Sequence, residues 1–176
     1  MELPRIPIDD FQVRCHLLWD TGWLLLTAGD LSAGRFNMMT VSWGSFGTIW
    51  NRPFAQVVVR PSRHTFEYME AYDTFTLCAL PEACRPILEY LGARSGRDVD
   101  KVRESGLTPV PSLVVAAPGF AEADLIVECR KIYRDDLDPA HFLDPAIASH
   151  YPQDDYHRVY FGEVLAVRGT GAYRAE

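Results

Sequence analysis

The apolar positions of this chain fall in short runs, alternating or continuous, rather than in long stripes of helical period. Gly22–Thr27 (GWLLLT) predicts a strand closed by a turn at Ala28-Gly29-Asp30. A second turn at Ser32-Ala33-Gly34 precedes Phe36–Gly44 (FNMMTVSWG). There Met39, Val41 and Trp43 share one face, and Met38, Thr40 and Ser42 the other. Asn51-Arg52-Pro53 breaks the chain before a β-branched strand at Ala55–Arg60. Pro61 lacks a ladder N–H and ends it. Ser62 then caps a helix to about Tyr72, with Phe66, Met69 and Tyr72 or Glu70 at helical spacing.

Phe75–Leu80 returns to strand. A first-turn proline, Pro86, and the stripe Ile87, Leu88 and Leu91 predict a second helix. Asp98–Glu104 predicts a third, capped by Asp98 and closed by Gly106. Leu113–Ala117 and Leu125–Tyr133 read as strands around a turn at Pro118-Gly119. Asp135–Pro152, acidic and carrying three prolines, reads as an irregular excursion. Val159–Val167 is the last strand, with Gly162 marking a bulge or a close approach. Strands with short helices between them favour a mainly β barrel or sandwich over a doubly wound sheet. Without repeats, low-complexity segments or long linkers, residues 1–176 read as one domain.

Composition narrows the function. With 176 residues, 48% of them hydrophobic, the chain can bury a real core and is not a disordered segment. A net charge of -7 argues against a general nucleic-acid binder, which needs a basic face. It leaves room for a small anion, because one local basic cluster suffices. The first residues lack a signal-peptide pattern, and the apolar stretch Trp23–Ala28 is too short to span a bilayer. The expectation is a soluble cytoplasmic protein with no membrane contact. Cys15, Cys78, Cys84 and Cys129 form no C-x-x-C pair and read mostly as buried thiols of a reducing compartment. Their spacing gives no support to a zinc site with His141 or His150, and no metal is expected.

Three segments carry candidate chemistry. Arg60-Pro61-Ser62-Arg63-His64-Thr65 places two guanidiniums and two hydroxyls at a strand-to-helix corner, where free N–H groups and the helix dipole favour an anion. The same residues would also suit an ordinary capped helix with solvated arginines. Ala93–Lys101 (ARSGRDVDK) repeats the pattern and also suits a polar surface loop. Two such clusters in one acidic chain strengthen the case for a phosphorylated ligand. Asn37–Gly44 offers an amide, two hydroxyls and an indole. That set could hold the edge and face of a planar heteroaromatic ring, or be a barrel strand with Trp43 in the core.

Together, GWLLLTAG, FNMMTVSWGSFG, FAQVVVRPSRHTFEYME, FTLCALP, ARSGRDVDKVRESGLTP, ADLIVECRKIY and YHRVYFGEVLAV resemble the flavin reductase-like, or flavoredoxin-like, family. The resemblance follows the family's order and covers most of the chain after about residue 20. It implies a Greek-key type split β-barrel with short inserted helices and a homodimer with FMN near the subunit interface. It implies that Asn37, Thr40, Val41, Ser42 and Trp43 surround the isoalloxazine and ribityl chain. Arg60, Ser62, Arg63 and Thr65 fall at the phosphate end, and Ser95, Gly96, Arg97 and Lys101 in a second contact region. Cys78 replaces an asparagine of many relatives. His157 resembles the family's histidine near the nicotinamide or flavin, and is otherwise a surface histidine.

The implied activity is hydride transfer from NAD(P)H to bound flavin and on to an acceptor, such as a monooxygenase or another redox partner. The chain has no G-x-G-x-x-G motif, so NAD(P)H would bind transiently on the flavin face. The alternatives are an FMN-binding electron carrier without NAD(P)H activity, and a split barrel that has lost flavin.

Overall fold

The computed structural model describes residues 3–175. Its strands are β1 (Arg5–Ile6), β2 (Leu24–Asp30), β3 (Arg35–Val41), β4 (Gly44–Ile49) and β5 (Arg52–Val59). After these come β6 (Thr74–Ala79), β7 (Pro109–Val110), β8 (Gly119–Phe120), β9 (Leu125–Asp136) and β10 (Arg158–Gly169). The helices are α1 (Cys15–Leu17), α2 (His64–Ala71), α3 (Arg85–Ala93) and α4 (Lys101–Ser105). The main sheet runs β3-β2-β6-β9-β10-β5-β4, with β1 added on β10, and every pairing is antiparallel. The path ends are β3 and β4. They are not paired with each other, yet only Ser42 and Trp43 separate them in sequence, so the chain crosses the split of the barrel there.

The sheet curls around one core. Leu24, Leu26 and Ala28 of β2 meet Phe75, Leu77 and Ala79 of β6, Leu125, Val127 and Cys129 of β9, and Ala55, Val57 and Val59 of β5. These alternate positions share one face, as strand geometry requires. The opposite face is also apolar at one end, where Leu25, Met38, Cys78 and Ile126 pack under Leu88 and Leu91 of α3. Burial on both faces explains why GWLLLT reads as a continuous run. Each such side chain contributes about 1.5–3 kcal/mol on burial.

Gly162 shows both expected features. The β9–β10 register shifts between Phe161 and Gly162, and a Cβ at residue 162 would lie 2.5 Å from the Phe75 ring. The strand bends and lets the ring pass.

Several expectations need correction. Ala28-Gly29-Asp30 is not a turn; it extends β2 and pairs with Asn37, Phe36 and Arg35. The run 36–44 ends its ladder at Val41, and β4, unforeseen, starts at Gly44. Trp50 and Asn51, at φ 52° and 57°, form the two-residue turn from β4 to β5. Arg52 and Pro53 therefore lie in β5 rather than in a break. Pro53 is tolerated because β10 pairs only with Phe54–Val59, leaving Pro53 a neighbour on one side.

Leu113–Ala117 is not a strand. The Leu113 and Val114 N–H groups go to the Glu128 carboxylate, each at 2.8 Å, instead of to a ladder, and Pro109–Val110 pairs with Gly119–Phe120. Ser62 does not cap α2, whose cap position is Arg63 without a side-chain bond. Asp100, not Asp98, caps α4 by accepting from the Arg103 N–H, while Gly106 closes it at φ 70° as expected. The acidic excursion begins after β9 and holds two 3-10 turns, each opened by an aspartate, Asp138 or Asp144. Among the described residues, no helix is long and apolar enough to cross a membrane.

Candidate functional site

Beside the split, the end of β3, the β5–α2 corner and the loop after α3 enclose a cleft with two adjoining compartments. Met39 and Arg63 line both. The first, about 160 Å³, adds Thr40, Val41, Ser42, Trp43, Arg60 and His157. The second, about 60 Å³, adds Asn37, Ser62, Thr65, Ser95, Gly96 and Lys101. Every residue that the resemblance places at the flavin lines at least one compartment except Arg97. Its guanidinium instead donates to the Ser62 carbonyl at 3.2 Å and to Glu67 at 2.5 Å.

The second compartment is rich in fixed donors. Asn37 donates to the Thr65 hydroxyl at 2.8 Å, tying β3 to the first turn of α2. A Cβ on residue 96 would lie 2.3 Å from Asn37 Oδ1, so the loop can sit on β3 only with glycine there. Lys101 is buried and donates to the Met38 and Leu91 carbonyls, both at 2.8 Å. An ammonium has three donors, so one is left for the compartment. Burial, with Arg63 nearby, pulls Lys101 down to about 8. His64 Nδ1 is buried and faces the Glu67 carboxylate of the same helix at 3.4 Å. Arg94 also lines this wall.

The first compartment is aromatic at its mouth. Trp43 is 44% exposed, so it is not the core residue its strand period suggests. Its ring centroid lies 5.2 Å from His157 and 5.4 Å from His150. His157 is buried rather than on the surface, and its Nδ1 sits 2.8 Å from the Tyr151 hydroxyl. Burial, with the Arg60 guanidinium beside it, pulls His157 down to about 4, so the ring is neutral at pH 7. The Thr40 hydroxyl is committed, donating to the Leu88 carbonyl at 2.5 Å. Val41 is buried, leaving only its backbone for a ligand.

Arg60 is held away from the second compartment. It donates to Asp155 at 2.5 Å and to the His150 carbonyl at 2.7 Å, and stands 4.8 Å over the Tyr151 ring. Ser62 donates to the same carboxylate at 3.0 Å. Burial opposes the ionised form of Asp155, but the bonds from Ser62 and Arg60 outweigh it and hold the carboxyl below its usual value.

His150, Tyr151 and Asp155 come from the segment between β9 and β10, to which sequence reasoning gave no defined role because it has no periodicity. His64 and Arg94 were missed too, though both lie inside the two basic strings. Cys78 stands apart from the cleft, in the cluster under α3, where burial pushes its thiol up to about 12. Cys129 is likewise buried, whereas Cys15 and Cys84 are partly exposed. Among the described residues no group of three or more His, Cys, Asp or Glu could hold a metal ion.

An open antiparallel barrel with a cationic, aromatic-rimmed cleft at a strand-to-helix corner defines a small-ligand protein of the split-barrel class. Residues 19–174 match the Flavin reductase like domain, and the chain belongs to that family. Membership makes it a flavin-related oxidoreductase or FMN-binding protein. Among solved structures it is similar to the flavoredoxin of Desulfovibrio vulgaris (Miyazaki F), at 23% identity and a TM-score of 0.66. That match covers 86% of this chain and 71% of the other. The FMN-binding domain of a flavin reductases-like enzyme from Shewanella baltica OS155 matches at 19% identity and a TM-score of 0.64, covering 90% and 77%. Flavoredoxin from Methanosarcina acetivorans matches at 23% identity and a TM-score of 0.64, covering 94% and 72%. These likenesses establish the split-barrel fold. A search of curated proteins found no match.

Proposed function

We propose that the chain binds FMN in this cleft and works as an NAD(P)H:flavin oxidoreductase. The observation that carries the reading is the division of the cleft: a small compartment of cationic and amide donors adjoins a larger one walled by Trp43, Met39 and the end of β3. A phosphorylated ring system needs both.

The residues present fit FMN. Arg63, Ser95, Thr65 and the free donor of Lys101 would hold the phosphate. The fit rests on the buried Lys101 ammonium, which has two of its three donors committed to carbonyls and lines that compartment. Asn37 and Ser42 would meet the ribityl chain and ring edge, and Trp43 and Met39 would cover apolar surface. Arg97 supports the corner from behind through Ser62. The two compartments, at about 160 and 60 Å³, fall short of the roughly 300–1,000 Å³ of a pocket that encloses its ligand. That shortfall supports a homodimer in which the second copy completes the wall.

When bound, FMN supplies two-electron chemistry: uptake of a hydride from NAD(P)H and delivery of the electrons to an acceptor. The chain's own residues supply binding and electrostatics. Arg60, above the first compartment, provides positive potential that favours negative charge developing on a ring there. Neutral His157, fixed by Tyr151, shapes the rim and can accept or donate one hydrogen bond without adding charge. The reading includes one domain over the chain and a cytoplasmic setting, which the four free thiols suit.

The test is titration with FMN and riboflavin, followed by anaerobic addition of NADH or NADPH. Saturable binding of about one FMN per chain, then fast bleaching, is the expected result. Binding without bleaching would make the chain an electron carrier, and no flavin binding would overturn the reading. Arg63→Ala should weaken FMN by about tenfold or more while sparing riboflavin, since only FMN carries the phosphate.

A further inference from the structure

A second cavity, sharing no lining residue with the cleft, lies between the β7–β8 ribbon and the β9–β10 end of the sheet. It measures about 420 Å³, within the range of small-molecule sites. Leu3, Val110, Pro111, Phe120 and Ile126 give it an apolar wall, and Arg168 is the one charged residue lining it among those described.

Arg168 is an unusual wall residue. Its side chain is only 6% exposed. One terminal nitrogen donates to the Pro111 carbonyl at 3.1 Å and lies 3.4 Å from the Glu128 carboxylate. Its Nε is buried with no hydrogen-bond partner among the described residues. Glu128 is fully buried; each of its oxygens accepts a backbone N–H at 2.8 Å, and it faces Arg168 through the terminal nitrogen rather than through Nε. A guanidinium has five donors, and leaving a buried one unmet is unfavourable. The deficit belongs to a residue that lines an apolar cavity with no other charge in its wall among the described residues.

We propose that this cavity is a binding site for a small apolar monocarboxylate, its head group paired with Arg168 and its hydrocarbon body against Val110, Phe120 and Ile126. A carboxylate matches the planar fork of a guanidinium and carries the charge that pairs with it. An aliphatic or aryl body replaces water along the apolar wall. The site is independent of flavin binding.

Calorimetric titration of the full chain with octanoate tests this, with octanol as the control lacking charge. The expected result is saturable binding of one octanoate per chain, about tenfold or more tighter than octanol. Equal binding of the two would show mere partition into an apolar groove, and no binding of octanoate would remove the site; either overturns the proposal. Ala121→Trp fills the cavity from an exposed wall position and leaves the Arg168–Glu128 pair in place. Octanoate affinity should fall about tenfold or more in that variant while its melting temperature holds. Unchanged affinity would place the ligand elsewhere and overturn the assignment.

Discussion

The Asp155 carboxylate lies 2.5 Å from the Arg60 guanidinium, so a residue of the segment before β10 occupies a cation at the rim of the cleft. The same carboxylate accepts from Ser62, which binds the segment before β10 to the β5–α2 corner. Any ligand anion that uses Arg60 must compete with this internal one. Asp155→Asn should therefore raise FMN affinity, by about tenfold for the loss of one competing charge. Fluorescence titration of both proteins checks this. Weaker binding in the variant would mean that Asp155 positions Arg60 rather than blocking it.

Lys101 gives the cleft a proton-linked step. Burial, then Arg63, lowers its folded value from 10.5 to about 8, whereas an anion bound beside it would raise that value again. Between about pH 8 and 10 the free protein has lost the proton and the complex keeps it. FMN binding at pH 9 should take up close to one proton, and affinity should fall as pH rises above about 8. Calorimetry in two buffers of different ionisation enthalpy measures the uptake. The free protein shows the reverse trend, because the unfolded chain binds more protons from pH 8 to 10.5 and stability rises across that window.

His157 predicts a loss of stability on the acid side. Its folded value is lowered from 6.5 to about 4, chiefly by burial and then by Arg60. Between those values the unfolded chain takes up a proton that the folded chain refuses. Stability is full above pH 6.5 and falls by roughly 3 kcal/mol as pH drops to about 4. Urea unfolding at a series of pH values should show this slope in the wild type and a shallower one in His157→Asn. Equal slopes would place the acid sensitivity in other groups.

Gly96→Ala should damage the cleft without touching any charge. The new Cβ would stand 2.3 Å from Asn37 Oδ1 and 3.1 Å from the His64 ring, so either the loop or Asn37 must move. Moving Asn37 breaks its bond to Thr65. The expected cost is about 1–3 kcal/mol in stability, with weaker binding of FMN, read by thermal unfolding and titration. A fully stable variant with normal FMN affinity would show that the loop yields freely.

Sequence by itself determined the mainly β architecture, because period-two burial and β-branched runs leave a local trace in β2, β5, β6, β9 and β10. It also determined the basic strings at residues 60–65 and 93–101, since helix starts and clustered guanidiniums are local features. Gly162 was legible for the same reason. Tertiary structure alone decided the rest. Strand β4 escaped notice because Gly44, Ser45, Gly47 and Thr48 carry little apolar signal, and its existence depends on pairing with β5. Leu113–Ala117 looked like a strand until Glu128, distant in sequence, took its N–H groups. Trp43 seemed a core residue by period, but the chain leaves the ladder at Val41 and turns it to the rim. Arg60 was legible as a cation, whereas its engagement by Asp155 joins residues 95 positions apart. Hydrogen bonds and ion pairs of that span are set by how the sheet closes, and no local pattern records them.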